Sequence, residues 1–124
     1  MIGATFDSGA LIALEKRDLG MLIKLRVLHR AGVRITIPAN AVVEWWRKGH
    51  GQSALLELGT VEPLEETVAK AAGEALARVR GATAVDATVM ASAALRGDRV
   101  FTSDPKDMQR LHGHFRAVAA IIPV

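Results

Sequence analysis

The stretch Val100-Phe101-Thr102-Ser103-Asp104-Pro105-Lys106-Asp107 runs from apolar residues through two hydroxyls into two carboxylates separated only by a proline and a lysine. Three other acids stand in apolar surroundings: Asp7 directly after the run that ends at Phe6, Glu44 after Val42-Val43, and Asp86 between Val85 and Ala87. A carboxylate on a mostly apolar face is costly unless it is paired or bound to metal. Carboxylates gathered at one rim repel each other, and without a cation one or more of them is held protonated. Hard oxygen donors of this kind suit Mg²⁺ or Mn²⁺, which keep several waters and bridge readily to phosphate. Such an ion serves phosphodiester hydrolysis, because it activates the attacking water and stabilises charge on the phosphoryl and leaving oxygens. Both ions accept octahedral oxygen sites, so these residues leave the choice between them open.

Each acid also has a purely structural reading. Asp104 before Pro105 makes a good helix N-cap with proline in the first position, and Asp107 then favours the helix dipole. Thr83 with Asp86 resembles a capping box in which Asp replaces the usual Glu or Gln. Asp7 can cap the helix that follows it, and Glu44 can sit in the favourable first turn of its own. Capping, however, does not require four acids to share one edge of a fold.

The elements that must bring them there follow from hydrophobic period. Ile2 to Phe6 predicts a strand, and Ser8 to Lys16 and Leu19 to Ala31 carry apolar residues at helical spacing. Gly32 stops the second helix before the β-branched run Val33 to Ile37, which Pro38 ends. Asn40 to Lys48 predicts a short helix, Ser53 to Leu58 another, and Gly59 leads into a brief strand around Val61. Glu65 to Arg80 and Thr83 to Arg96 form helices divided by Gly81. Arg99 to Thr102 and Ala117 to Ile122 are the last strands, with a helix from Pro105 to about Leu111 between them. This alternation predicts one α/β domain with a mostly parallel sheet buried between helices. Open parallel sheets bind ligands beyond the carboxyl ends of their strands, at a topological switch point. If the first and penultimate strands are neighbours, Asp7 and Asp104 converge across that crevice, and Glu44 and Asp86, on helices that follow loops, can face the same rim.

The 124 residues are 50% apolar, enough for one substantial core, and no linker or low-complexity stretch divides them. Without cysteine the fold uses neither disulfides nor thiolate-bound zinc, which suits a reducing compartment. Met1 to Asp7 lacks the cationic start and apolar length of a signal peptide, and no run is long enough to span a bilayer, so the expectation is a cytoplasmic protein. A net charge of +3 and a pI of about 9.8 favour an anionic partner such as nucleic acid.

In order and spacing, Phe6-Asp7-Ser8-Gly9-Ala10-Leu11-Ile12-Ala13, Pro38 to Glu44 with Trp45-Trp46-Arg47 after it, Val85-Asp86-Ala87, and Phe101-Thr102-Ser103-Asp104 with Asp107 resemble the PIN-domain ribonucleases. Among these the chain looks like the VapC-type toxins of toxin–antitoxin pairs, and the resemblance covers essentially its whole length. It implies a five-stranded, three-layer α/β/α fold with first and fourth strands adjacent. It also implies an endoribonuclease that uses one or two Mg²⁺ or Mn²⁺ ions and leaves 5′-phosphate and 3′-hydroxyl ends. Asp7, Glu44, Asp86 and Asp104 match the family's metal-binding acids, Thr102 or Ser103 a hydroxyl beside the site, and Asp107 a more variable outer acid. Asp7 and Asp104 would hold the principal ion, Asp86 would ligate directly or through water, and Glu44 would complete a second site or orient the attacking water. Single-stranded RNA loops, a homodimer and a cognate antitoxin protein are the partners that the resemblance implies.

Arg47, Lys48 and His50 follow the Glu44 helix and can hold RNA phosphates, although a basic helix end also suits the dipole. Trp45 and Trp46 point in different directions on a helix, so at least one belongs to the core or an interface. His112-Gly113-His114 lacks a third His or a Cys and reads as a solvated loop. The run Leu22, Ile23, Leu25, Arg26, Val27 exceeds a simple amphipathic stripe; core burial is the expectation, with an interface as the alternative. A phosphorelay receiver would want paired acids after the first strand, and a haloacid-dehalogenase-type phosphatase would want Asp where Gly9 stands. The remaining rival is a PIN-fold module that binds RNA or a partner without turnover.

Overall fold

The computed structural model describes residues 1–124. In chain order it comprises β1 (Ala4–Phe6), α1 (Ser8–Glu15), α2 (Leu19–Arg30), β2 (Ile35–Pro38), α3 (Ala39–Trp45), α4 (Gln52–Leu56), β3 (Thr60–Glu62), α5 (Glu66–Arg78), α6 (Ala84–Arg96), β4 (Arg99–Thr102), α7 (Pro105–His112) and β5 (Ala120–Pro123). The sheet is parallel throughout, in the order β3-β2-β1-β4-β5. The chain builds outward from β1 on one side as far as β3, then crosses back to lay β4 along the other edge of β1. Phe6 pairs with Phe101, so the switch point opens just beyond these two residues.

Alternation along each strand feeds two cores and makes the fold three-layered. Ala4, Phe6, Ile35, Ile37 and Phe101 join Leu11, Leu14, Met21 and Leu28 on the α1/α2 side. Val100 points the other way, into the cluster formed with Val68, Ala72, Ala75, Val89, Met90, Met108 and Leu111 from α5, α6 and α7. The α3 helix belongs to both layers, since Ala41 enters the second cluster and Trp45 the first.

Thr5 faces the α6 side instead of the apolar core, and meets a partly buried ion network there. The Arg96 guanidinium is bound to Glu62, to Asp98 Oδ2 at 2.8 Å, to Thr5 Oγ1 at 2.9 Å and to Ser92 Oγ at 3.0 Å. Thr5 in turn donates to Asp98 Oδ2 at 2.8 Å, and Ser92 donates to Glu62 Oε1 at 2.7 Å. Asp98 is only 3% exposed, so its charge depends on these partners.

Several expected boundaries differ. β1 begins at Ala4, with Ile2 exposed outside it, and β5 begins at Ala120 because Arg116 and Ala117 form a turn that seats Val118 in the core. α3 stops at Trp45 instead of reaching Lys48: Trp46 is extended, and the Gln52 side chain takes the N–H groups of Arg47 and Gly49 that a longer helix would have used. In α2 only Met21 and Leu28 are buried, whereas Leu22, Ile23 and Val27 lie exposed, so the expected burial of that run does not hold. No helix is long and apolar enough to cross a membrane.

Candidate active site

Asp7 leaves the central strand at the switch point and becomes the N-cap of α1. Its Oδ1 accepts from the Ala10 N–H at 2.9 Å, and its own N–H reaches Phe101 O on β4 at 3.2 Å. It is 4% exposed. Burial drives its pKa from 3.8 up to about 6, against hydrogen bonds from Thr102 and Ala10; the like charges of Asp86 and Asp104 push it further up. Capping therefore describes only part of what Asp7 does, because a cap needs no burial.

Asp104 occupies the N-cap position of α7, but its carboxylate makes no capping hydrogen bond. Its N–H instead donates to Thr102 Oγ1 at 2.9 Å, which fixes the turn and leaves the side chain exposed at the rim. Asp86 stands in the first turn of α6, its N–H held by the N-cap Thr83 Oγ1 at 3.1 Å. Partial burial raises its pKa, opposed by a hydrogen bond with Thr83 and reinforced by the charges of Asp104, Asp107 and Glu44. Glu44 lies in the last turn of α3, not the first, where the helix dipole disfavours a carboxylate. The Ser8 hydroxyl donates to its Oε1 at 2.9 Å and ties it to the start of α1.

Five carboxylates from four loops and helix ends thus lie within electrostatic reach, the charges of Asp86 and Asp104 bearing on Asp7 and those of Asp104, Asp107 and Glu44 on Asp86. Asp107 alone among them has a basic partner, Arg110, which also reaches the carbonyl of Arg80 at 3.5 Å in the loop before α6. The other ion pairs engage Glu66, Glu62 and Asp98, so Asp7, Glu44, Asp86 and Asp104 carry no basic counter-charge. The four are not drawn together as a ready ligand cage: no group of three or more His, Asp or Glu side chains is arranged to hold a metal ion as it stands. Mutual repulsion is a sufficient reason for that openness. The donors nevertheless fit a hard divalent cation in kind, being oxygen only and uncompensated.

Gly9 closes the back of the site. A Cβ at Gly9 would lie 2.0 Å from Ser103 Oγ and 2.9 Å from Ser103 N, so α1 and the turn after β4 touch only because this residue has no side chain. Gly9→Ala should push the Thr102–Asp104 turn away from Asp7 and destabilise the fold by about 1–3 kcal/mol. Ser103→Gly in the same chain should restore part of the loss. Equal melting temperatures for Gly9→Ala and wild type would disprove the close contact.

Arg47, Lys48 and His50 lie in the exposed segment between α3 and α4, not on a helix end. Trp45 is buried with its indole N–H on Glu15 Oε1 at 3.2 Å, and Trp46 is half-buried against it, ring centroids 6.1 Å apart. His112 binds Val118 O at 2.9 Å and His114 packs on Phe115, which gives both a structural place. Sequence reasoning missed Ser8, Gln52 and Arg110; Ser8 stands beside Asp7 and Arg110 three residues after Asp107 on one helix, so both had a neighbour that pointed to them, whereas Gln52 had none.

Compared with known proteins, the chain matches no family model and no curated protein.

Proposed function

We propose that the chain is a divalent-metal-dependent endoribonuclease, with Asp7, Asp104, Asp86 and Glu44 as its metal-binding acids. The observation that carries this reading is the convergence of four carboxylates without basic partners at the topological switch point of a parallel sheet. Mg²⁺ or Mn²⁺, when bound, would supply an activated water and charge stabilisation on the phosphodiester. The residues do the rest. Buried Asp7 and rim-facing Asp104, on either side of the β1/β4 junction, would provide the primary oxygens, and Asp86, at the start of α6, would add a third. Ser8 holds one oxygen of Glu44, leaving the other for a second ion or for orienting the attacking water. Thr102 fixes the Asp104 turn, and Arg110 occupies Asp107, which keeps that acid outside the inner set.

A toxin role, with a cognate antitoxin and a homodimer, belongs to the same proposal and rests on the family resemblance of the acidic motifs. The rival reading is an RNA-binding module without turnover, favoured by the open arrangement of the acids. Incubating purified protein with total cellular RNA in Mg²⁺, Mn²⁺ or EDTA separates the two. The nuclease should give cuts only with metal, leaving 5′-phosphate ends. Cutting that persists in EDTA, or RNA binding with no cleavage in either metal, would refute the enzyme.

A further inference from the structure

Between α3 and α4 the chain places Arg47, Lys48 and His50 on an exposed segment directly after the helix that carries Glu44. None of the three has an acidic partner. The segment is nevertheless fixed from beneath. Gln52 is 2% exposed, and its amide makes all its hydrogen bonds to this part of the chain. Its Oε1 accepts from Arg47 N at 3.0 Å and Gly49 N at 2.8 Å, and its Nε2 donates to Trp45 O at 3.1 Å. A buried amide in a five-residue helix adds no apolar contact that Leu would not supply, so its distinctive contribution is the shape of this segment. Lys48 is held at φ 57°, a left-handed conformation that a β-carbon disfavours. Arg47 turns its guanidinium onto Trp46 O at 2.7 Å, and Trp45 anchors the near end in the core. Lys48 thus keeps a left-handed conformation, without an acidic partner, on a segment whose backbone Gln52 ties down on either side of it.

We infer that residues 47–50 form a preformed cationic shelf for the phosphates of single-stranded RNA, and that Gln52 is the positioning residue that holds it. The inference rests on the nuclease reading for the identity of the ligand and for the site the strand is led to. The shelf follows directly after α3, whose last turn carries Glu44, so a strand gripped there is led toward that acid. A backbone already held in place lowers the ordering cost of presenting those charges at the moment of binding.

The test measures binding of a short mixed-sequence single-stranded RNA in EDTA, where no turnover occurs, and cleavage separately in Mg²⁺ or Mn²⁺. Gln52→Leu should weaken binding about tenfold, and Arg47→Ala with Lys48→Ala should weaken it as much and lower the salt slope by roughly 1.4. Adding Gln52→Leu to that double variant should bring no further loss, because Gln52 acts through those cations. In cleavage the Gln52→Leu defect should appear in KM more than in kcat. Lys48→Gly, which relieves the left-handed strain, should melt higher than wild type yet bind RNA more weakly, and it keeps the proposal testable if Gln52→Leu fails to fold. Full affinity in Gln52→Leu, additive losses in the triple variant, or a wild type that binds no RNA in EDTA would each overturn the shelf. A wild type that binds through the shelf but cuts nothing would overturn the nuclease and leave the shelf standing.

Discussion

Asp7→Asn is expected to abolish metal-dependent RNA cleavage and, in EDTA at neutral pH, to make the protein more stable than wild type. The two effects share one cause. Asp7 is buried at the centre of the sheet edge among like charges, and its pKa is raised from 3.8 to about 6 by burial first and by Asp86 and Asp104 after that. At neutral pH the carboxylate is therefore ionised against its surroundings. Between those two values the folded protein holds a proton that the unfolded chain has released, so stability falls as pH rises through this window and is level above it. A shift of this size corresponds to on the order of 3 kcal/mol. Asparagine keeps the acceptor for the Ala10 N–H and carries no charge, so the variant should lack the fall and melt about 5 °C or more above wild type in EDTA. Saturating Mg²⁺ should close the gap by stabilising wild type alone. Loss of a ligand should lower activity by at least about 100-fold, the upper range seen when only a supporting group is removed. Identical EDTA melts for the two proteins from pH 4 to pH 7 would remove the electrostatic argument for Asp7, and an active variant would remove its catalytic assignment.

Arg96→Met should give the largest loss of stability of any single change at the opposite end of the strands. The substitution strips Asp98 and Glu62 of their cation and leaves Asp98, almost wholly buried, with the Thr5 hydroxyl as its remaining side-chain partner. Only Asp98 is fully buried while Arg96 and Glu62 are partly exposed, so the cost should reach about 3 kcal/mol, the low end for breaking a buried pair, because the Asp98 charge is left uncompensated. Combining Arg96→Met with Asp98→Asn and Glu62→Gln should recover much of it, since no orphan charge remains. Urea unfolding measures all of these directly. A loss below about 1 kcal/mol in Arg96→Met would mean that solvent reaches Asp98 freely and that the network is ornamental.

The acids and the fold were legible in the sequence for different reasons. Strand and helix periods placed every element, and the position of Asp7 and Asp104 after apolar runs put both at strand ends, which the β1/β4 pairing brings together. Boundaries failed where a tertiary hydrogen bond outweighed local propensity. The Asn40–Lys48 helix ends early because Gln52, distant from its core period, takes backbone donors from Arg47 and Gly49. The structural reading of Asp104 as a cap was reasonable from Asp-Pro alone, yet the Thr102 hydroxyl satisfies its N–H and its carboxylate is left uncommitted. The exposure of Leu22, Ile23 and Val27 was illegible for another reason: period counts apolar residues but not how much sheet lies beneath a helix. The Arg96 network was only partly legible, because Ser92 and Asp98 lie close to Arg96 in the chain whereas Thr5 and Glu62 meet it only through the fold.

The strand order also governs when the two edges of the central strand are filled during synthesis. β1 is made well before β4, so one of its two edges stays empty until Arg99–Thr102 have left the ribosome, because no earlier strand of the sheet pairs there. Up to that point Asp7 has no β4 backbone to bind and no Asp104 opposite it. Sheets that join such distant segments close late, since a long loop must be ordered before the contact rewards it. The acidic rim is therefore assembled only after β4 has been made, and a chain stopped short of that strand carries its first carboxylate without the second.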